Sequence, residues 1–385
     1  MTPSNRARLA IFAALAVIGS LEAVDGQKPA PAQSAPATRF TRAAAIDAPI
    51  VRASAGLDKL LPRQAETIYQ AVASRFRPAR AMDTVTFMER FWRLPVNAGF
   101  SASLDHIKTG LVEAGFKEGA LSGTLSPVLA VEEYPNGGNG WELVRAEMTI
   151  VQSAAGTAPE RVFDPVTDYI ALCMNSFSTP PGGVTAPLVY VGNGADAASY
   201  ASVDVKGAVV MGDGRMGGLW REAVGLRGAI GVISSAPPPA YTRPDETPEV
   251  FQWGGVPYDE KLKAFGFKAS RKVADRLKER LKAGPVTVKV DVETRFNPGP
   301  GKLLVAEIPG RVSPNEHIVM VAHIQEPGAN DDASGCGTLL EMARALQAAI
   351  AAKAIPPPGR TLTFVWGDEM RASREWLQRD RGRQT

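Results

Sequence analysis

Two short phrases hold the residues able to do chemistry. The first is Val321-Ala322-His323-Ile324-Gln325-Glu326-Pro327-Gly328-Ala329-Asn330-Asp331-Asp332-Ala333-Ser334-Gly335, and the second is Phe364-Val365-Trp366-Gly367-Asp368-Glu369. His323 closes the apolar run Ile318-Val319-Met320-Val321-Ala322, which reads as a central strand covered on both faces. Asp331 comes eight residues later, in a Gly/Asn turn ahead of a helix. A loop of that length lets the backbone double back and set a carboxylate beside the imidazole. In open α/β sheets ligands bind outside the carboxyl ends of strands, so His323 stands at the edge where a site belongs. Asp368 and Glu369 close a second apolar strand, Leu362 to Trp366, and face the same crevice if the two strands are neighbours. One imidazole and several carboxylates form a hard-to-borderline cation site, which zinc suits. The chain has three histidines, His106, His317 and His323, and two cysteines, Cys173 and Cys336. A metal site must therefore lean on carboxylates, and a Cys-based zinc finger or a disulfide scaffold is excluded.

Plainer readings of the same residues compete. Asp331 and Asp332 could simply cap the following helix, since Asp is common at helix starts. Ser334 lacks the Gly-x-Ser-x-Gly frame and a His partner, so it is no nucleophile elbow. Cys336 reads as a small packing residue at a helix start. The glycines from 212 to 218 lack a Gly-Lys-Ser/Thr and read as a turn rather than a phosphate loop. His317 lies at the start of its strand, at the wrong edge for the site, and His106 lies in a helical region. Both read as surface or capping residues.

The elements that must position these groups follow from periodicity. A helix from Cys336 to Ala351 between the two apolar strands completes a β-α-β unit. From Ile46 to about Phe116 the pattern is helical, with Gly115 as a stop. Strands follow from Gly123 to Gln152 around a Pro135 to Gly140 turn. A stretch of short apolar strands and Gly-rich turns then holds Pro187 to Gly192, Asp204 to Met211 and Gly228 to Ile233. Ser270 caps a helix from Arg271 to Ala283 whose Lys and Arg alternate with Asp275 and Glu279, an ordinary solvated face rather than a nucleic-acid surface. Val286, Val288, Val290 and Val292 alternate with polar residues, as a half-buried strand does.

With 385 residues the chain is long enough for two or three domains. Hydrophobic residues make up 45% and charged residues 22%, which excludes wholesale disorder. The net charge of +3 is too near neutral for a chain whose main partner is a polyanion. Arg6 and Arg8 precede an uncharged stretch of 13 residues, Leu9 to Leu21, too short to span a bilayer and suited to a secretory signal. No Cys follows it that could carry a lipid anchor. The Pro/Ala/Gln-rich segment after it reads as a disordered linker. The expected localisation is exported, periplasmic or extracellular, with no membrane attachment after signal cleavage.

The two phrases, with the Leu340-Glu341 and Ala343-Arg344 pairs of the intervening helix, resemble the co-catalytic zinc aminopeptidases. These are the bacterial leucyl aminopeptidase-like relatives of glutamate carboxypeptidase. The stretch with Lys206-Gly207 and Gly228-Ala229-Ile230-Gly231-Val232 resembles the protease-associated domain, a β-rich insert of secreted peptidases. The resemblance implies an α/β fold: a mixed sheet with helices on both faces, incomplete, plus the inserted module. The expected organisation is a signal peptide over 1–26, a linker over 27–45, an N-terminal part of the peptidase domain over 46–160, the insert over 161–265 and the zinc-binding part over 266–385. It also implies zinc as cofactor, two ions in the family. His323 would bind one zinc, Asp331 would bridge two, and Glu369 would ligate the second. Asp368 stands where the family has its general base, one methylene shorter than the usual Glu, and Gln325 stands where the family often has an Asp.

The family draws a further Asp and a second His from well beyond the acidic pair. Sixteen residues follow Glu369 and none is His, so the sequence reads as the N-terminal part of a peptidase with at most one zinc well supported. Three functions remain open. The first is an exported zinc aminopeptidase acting on peptides by metal-activated water. The second is a non-catalytic fragment or binding module. The third is a single-zinc acyl transferase of the glutaminyl cyclase type.

Overall fold

The computed structural model describes residues 63–121, 125–136, 138, 140–156 and 159–379. The expected signal peptide, the linker, the first part of the helical region and the tail from 380 lie outside the described residues. No helix among the described residues is long and apolar enough to cross a membrane. The chain divides into two compact units, one of residues 1–139 and 298–385, the other of residues 140–297.

The first unit opens with α1 (Arg63–Ala73), α2 (Pro78–Met88) and α3 (Ala98–Glu113), followed by β1 (Lys117–Glu118) and β2 (Val128–Tyr134). The second unit carries β3 (Gly140–Ser153), β4 (Glu160–Phe163), β5 (Val184–Tyr190), β6 (Val209–Gly212), α4 (Met216–Leu219), β7 (Gly231–Ser234), β8 (Phe265–Lys268), α5 (Arg271–Lys282) and β9 (Val286–Asn297). The chain then returns to the first unit with β10 (Gly301–Ile308), β11 (Ser313–His323), α6 (Gly335–Ala351), β12 (Arg360–Gly367) and α7 (Glu369–Arg379).

The sheet of the first unit runs β1-β2-β10-β12-β11 and is mixed. β11 and β12 are parallel neighbours joined through α6, as the β-α-β reading expects, while β10 is antiparallel to both β12 and β2. Alternate residues of β10 serve opposite faces. Leu304, Ala306 and Ile308 join a core with Val85 and Met88 of α2, Phe100, Leu104 and Ile107 of α3, and Leu339 and Leu340 of α6. Leu303 and Val305 join Val365 with Ala372 and Trp376 of α7 on the other face. A strand covered on both sides needs apolar residues on both faces, as Leu303 to Ala306 of β10 and Phe364 to Trp366 of β12 show.

β11 departs from the reading as a central strand. It lies at the edge of the sheet, with β12 its neighbour among the described residues, and of its apolar run Val319 and Ala322 are the buried members. An apolar run reports cover on the two faces of a strand and says nothing of partners along its edges.

The second unit has one sheet of seven strands, ordered β4-β3-β9-β5-β6-β7-β8. β5 to β8 are parallel, and β9, β3 and β4 are antiparallel. The expected insert at 161–265 is too short. β3, expected in the N-terminal part of the peptidase domain, and α5 and β9, expected in the zinc-binding part, all belong to this compact unit. β3 pairs with β9 from Gly140–Asn297 to Ser153–Val286, and β9 pairs with β5. The alternating valines of β9 specify a half-buried strand without specifying which sheet it joins.

Local signals hold where the chemistry is local. Gly115 takes φ +93° after α3, and its N–H and that of Phe116 donate to the carbonyls of Val112 and Leu111 at 2.9 and 3.1 Å. That is the Schellman termination, which needs a left-handed residue. α2 begins with Pro at its first position, but its flanking Arg77 offers no side-chain cap. Glu341 of α6 supplies it instead, with Oε1 accepting the Arg77 N–H at 2.9 Å.

Glu341 is buried, and burial pushes its carboxyl above the usual 4.5. A raised acid favours folding fully below the unfolded value and loses that contribution as pH rises through the folded one. Glu341→Gln keeps the acceptor and removes the titration. Urea denaturation should show the variant gaining on the wild type as pH rises from about 4.5 to 7. Parallel pH profiles for the two proteins would refute this.

Candidate metal centre

The register brings the two chemical phrases together. His323 at the end of β11 is paired with Gly367 at the end of β12, and the Ile324 N–H donates to the Gly367 carbonyl at 2.7 Å. Asp368 and Glu369 follow directly, with the Asp368 carbonyl accepting from Ala372 as α7 begins. After His323 the chain loops through Gln325 to Asn330, and its turn holds a cis peptide bond between Asp331 and Asp332.

The two aspartates have different work. Asp332 is half-buried in the turn and accepts two backbone N–H groups, that of His323 on Oδ2 at 3.0 Å and that of Gly335 on Oδ1 at 2.9 Å. Burial pushes its carboxyl upward, opposed by those hydrogen bonds. A Cβ on Gly335 would overlap this carboxylate, so glycine is required there. The helix-cap reading therefore holds for Asp332. It does not hold for Asp331, whose side chain is 74% exposed and points Oδ1 at His323 Nε2 across 3.1 Å. The loop has doubled back as its length predicts.

His323 stands between two acceptors. Its Nδ1 lies 3.3 Å from the Gln325 carbonyl and its Nε2 faces the Asp331 carboxylate. A neutral imidazole has one N–H to give and two acceptors to meet. It can therefore donate to one of them and leaves the other nitrogen as a lone-pair donor. Two ligands each about 2.0–2.1 Å from one tetrahedral zinc stand about 3.3 Å apart, close to the separation seen. In the tautomer that carries its proton on Nδ1, the Gln325 carbonyl accepts it and Nε2 is the ligand atom, the usual arrangement for metal-bound His. The pair thus fits zinc.

Glu369 is not drawn into this pair. Among the described residues no group of three or more His, Cys, Asp or Glu is placed to hold a metal ion. Glu369 is exposed at the start of α7, and its N–H donates to Gln325 Oε1 at 3.4 Å. Gln325 therefore ties the two strand-end loops together, a role its carbonyl fills without charge. Asp368 is half-buried. Burial lifts its carboxyl, Glu369 adds to the lift, and Arg371 and His323 oppose it.

The other candidates are engaged elsewhere. His106 stacks on Phe87 at 4.3 Å with Nε2 3.3 Å from Thr84 Oγ1. His317 is no surface residue: its side chain is largely buried, with Nδ1 2.8 Å from Thr363 Oγ1 and 3.7 Å from Glu307 Oε1. Cys336 is buried beneath the site, its Sγ donating to the His323 carbonyl at 3.2 Å, and burial pushes the thiol far above its usual range. A thiol so held packs and does not react. Ser334 Oγ donates to the Asn330 carbonyl.

Residues 304–369, from β10 to the first residue of α7, match the model of peptidase family M28. No curated protein sequence matches the chain. Among solved structures, a Peptidase M28 precursor from Shewanella amazonensis matches with a TM-score of 0.54 at 16% identity, over 83% of this chain and 72% of that one. A zinc aminopeptidase from Bacillus subtilis matches at 0.49 and 16% identity, over 84% and 67%. An aminopeptidase from Aneurinibacillus sp. strain AM-1 matches at 0.47 and 19% identity, over 81% and 68%. The likeness to the Shewanella protein is one of fold.

The two aspartates should separate cleanly by mutation. Asp332→Ala leaves two backbone donors without their acceptor and should lower the unfolding free energy by about 2 kcal/mol. Asp331→Ala removes an exposed side chain and should stay within about 0.5 kcal/mol of the wild type. Urea denaturation of the chain without added metal checks both, and equal losses would overturn the division of labour.

Proposed function

We propose, from the match of residues 304–369 to the model of peptidase family M28, that the chain is an exported, zinc-dependent peptidase that releases residues from the N-termini of peptides. The observation that carries the reading is His323 set between Gln325 and Asp331 with a ligand nitrogen facing a carboxylate. His323 Nε2 and Asp331 Oδ1 would hold the ion, and Glu369 is proposed as a further ligand. Bound zinc supplies Lewis-acid polarisation of the peptide carbonyl and activation of water. Asp368 is the proposed proton acceptor. Burial lifts its carboxyl above the usual carboxylate value, which strengthens it as a base. The Gln325 carbonyl keeps the Nδ1 proton in place, so the ligand nitrogen stays free. Unit 140–297 is proposed as the protease-associated module, and the basic and apolar start of the chain as the export signal.

The lack of a three-ligand group among the described residues favours a second reading, a peptidase-like chain that binds metal or peptide without turnover. The purified chain, loaded with zinc, should release p-nitroaniline from aminoacyl p-nitroanilides. His323→Ala should abolish zinc binding measured by competition with a chromophoric chelator. Asp368→Asn should keep zinc and lower kcat by about 10²–10⁴-fold. Zinc binding without hydrolysis would sink the enzyme and leave the binding reading; no zinc binding at all would sink the metal centre.

A further inference from the structure

The loop that brings Asp331 to His323 is held by a residue far away in sequence. Arg93, between α2 and α3, is fully buried. Its Nε donates to the Ile324 carbonyl at 2.7 Å and its Nη2 to the Gly328 carbonyl at 3.0 Å, at the two ends of the loop. Its Nη1 donates to the Met88 carbonyl at 2.7 Å, at the end of α2. Its own carbonyl accepts the Glu326 N–H at 2.8 Å, and Glu326 is held at φ +86°. One side chain and its backbone thus grip residues 324, 326 and 328 and tie them to a helix end. A buried loop must find partners for its backbone polar groups, and a guanidinium offers five donors in a fixed plane.

We infer that Arg93 is a positioning residue: it sets the path of the loop Ile324 to Gly328 and so the meeting of Asp331 with His323. It touches neither side chain in the contacts described above and acts through the backbone between them. Lysine keeps the charge, yet a single nitrogen cannot take the three places of the planar fork. The consequence for metal rests on the reading proposed above; the geometry does not.

Three histidines make the ring nitrogens of the full chain resolvable by 15N NMR, with His323→Ala assigning one set. Arg93→Lys should shift the His323 ring nitrogens, reporting altered contacts at Nδ1 and Nε2, and should leave those of His106 and His317 in place. Its zinc affinity should fall on the order of 10-fold, as for other supports behind metal ligands. Leu111→Ala, a core variant on α3 that lowers Tm without touching the loop, should leave both readouts unchanged. Unshifted His323 nitrogens in Arg93→Lys, or equal changes in Leu111→Ala, would overturn the inference. In the wild type the Glu326 amide should exchange with solvent as slowly as the core strands, and fast exchange there would overturn it even if Arg93→Lys does not fold. If the wild type binds no zinc, the metal reading fails alone, and the ring nitrogens and the Glu326 amide still decide the role of Arg93.

Discussion

Two backbone N–H groups, one at the end of β11 and one at the start of α6, both donate to the half-buried carboxylate of Asp332. Much of the site depends on this contact. A strand that ends and a helix that begins each leave donors without partners inside the element. Here a single side chain satisfies one of each and fixes the separation between them. The loop from Ile324 to Asp331 must then close within that span. Asp331, next in sequence to the clamp, is left free to face His323. The contrast between adjacent aspartates, Asp332 half-buried and bonded and Asp331 exposed, follows from Asp332 having taken up the structural work.

The same economy recurs around the site. Gln325 offers a carbonyl to the first N–H of α7, Glu341 to the N–H before α2, and Arg93 its donors to the carbonyls of the loop. Each is a polar side chain drawn from one element to satisfy backbone groups at the end of another. Buried polar groups are costly unless paired, so such contacts have few alternatives and fix geometry more tightly than apolar packing does. The apolar layers on either side of the sheet supply the bulk of burial. The side chains at the element ends decide where the ends lie.

This division explains what the sequence made legible. The parallel pair β11 and β12, the α6 crossover, the Gly115 termination and the return of Asp331 to His323 were readable, because each rests on local pattern or on loop length. The edge position of β11 was not, since face burial leaves the same apolar run at an edge as at a centre. The full extent of the second unit was not, because the alternation of β9 fits any half-buried place. Arg93 had no signal at all: an Arg between two helices looks like surface until the fold buries it. His317 was misjudged for a related reason, its partners Thr363 and Glu307 coming from neighbouring strands.

The imidazole of His323 carries the last step. A neutral ring has one N–H and meets two acceptors, the Gln325 carbonyl and the Asp331 carboxylate, so one contact lacks its donor. In a wholly structural site that deficit has an easy remedy, a hydroxyl or amide donor in place of the aspartate. The chain instead sets an acidic residue there, exposed to solvent, beside a second strand end that carries Asp368 and Glu369. The Asp331 carboxylate faces Nε2, while Nδ1 meets a backbone carbonyl that no substitution of Gln325 other than proline would much alter. An arrangement of this kind leaves carboxylates at the ends of β11 and β12 whose charge a cation would offset.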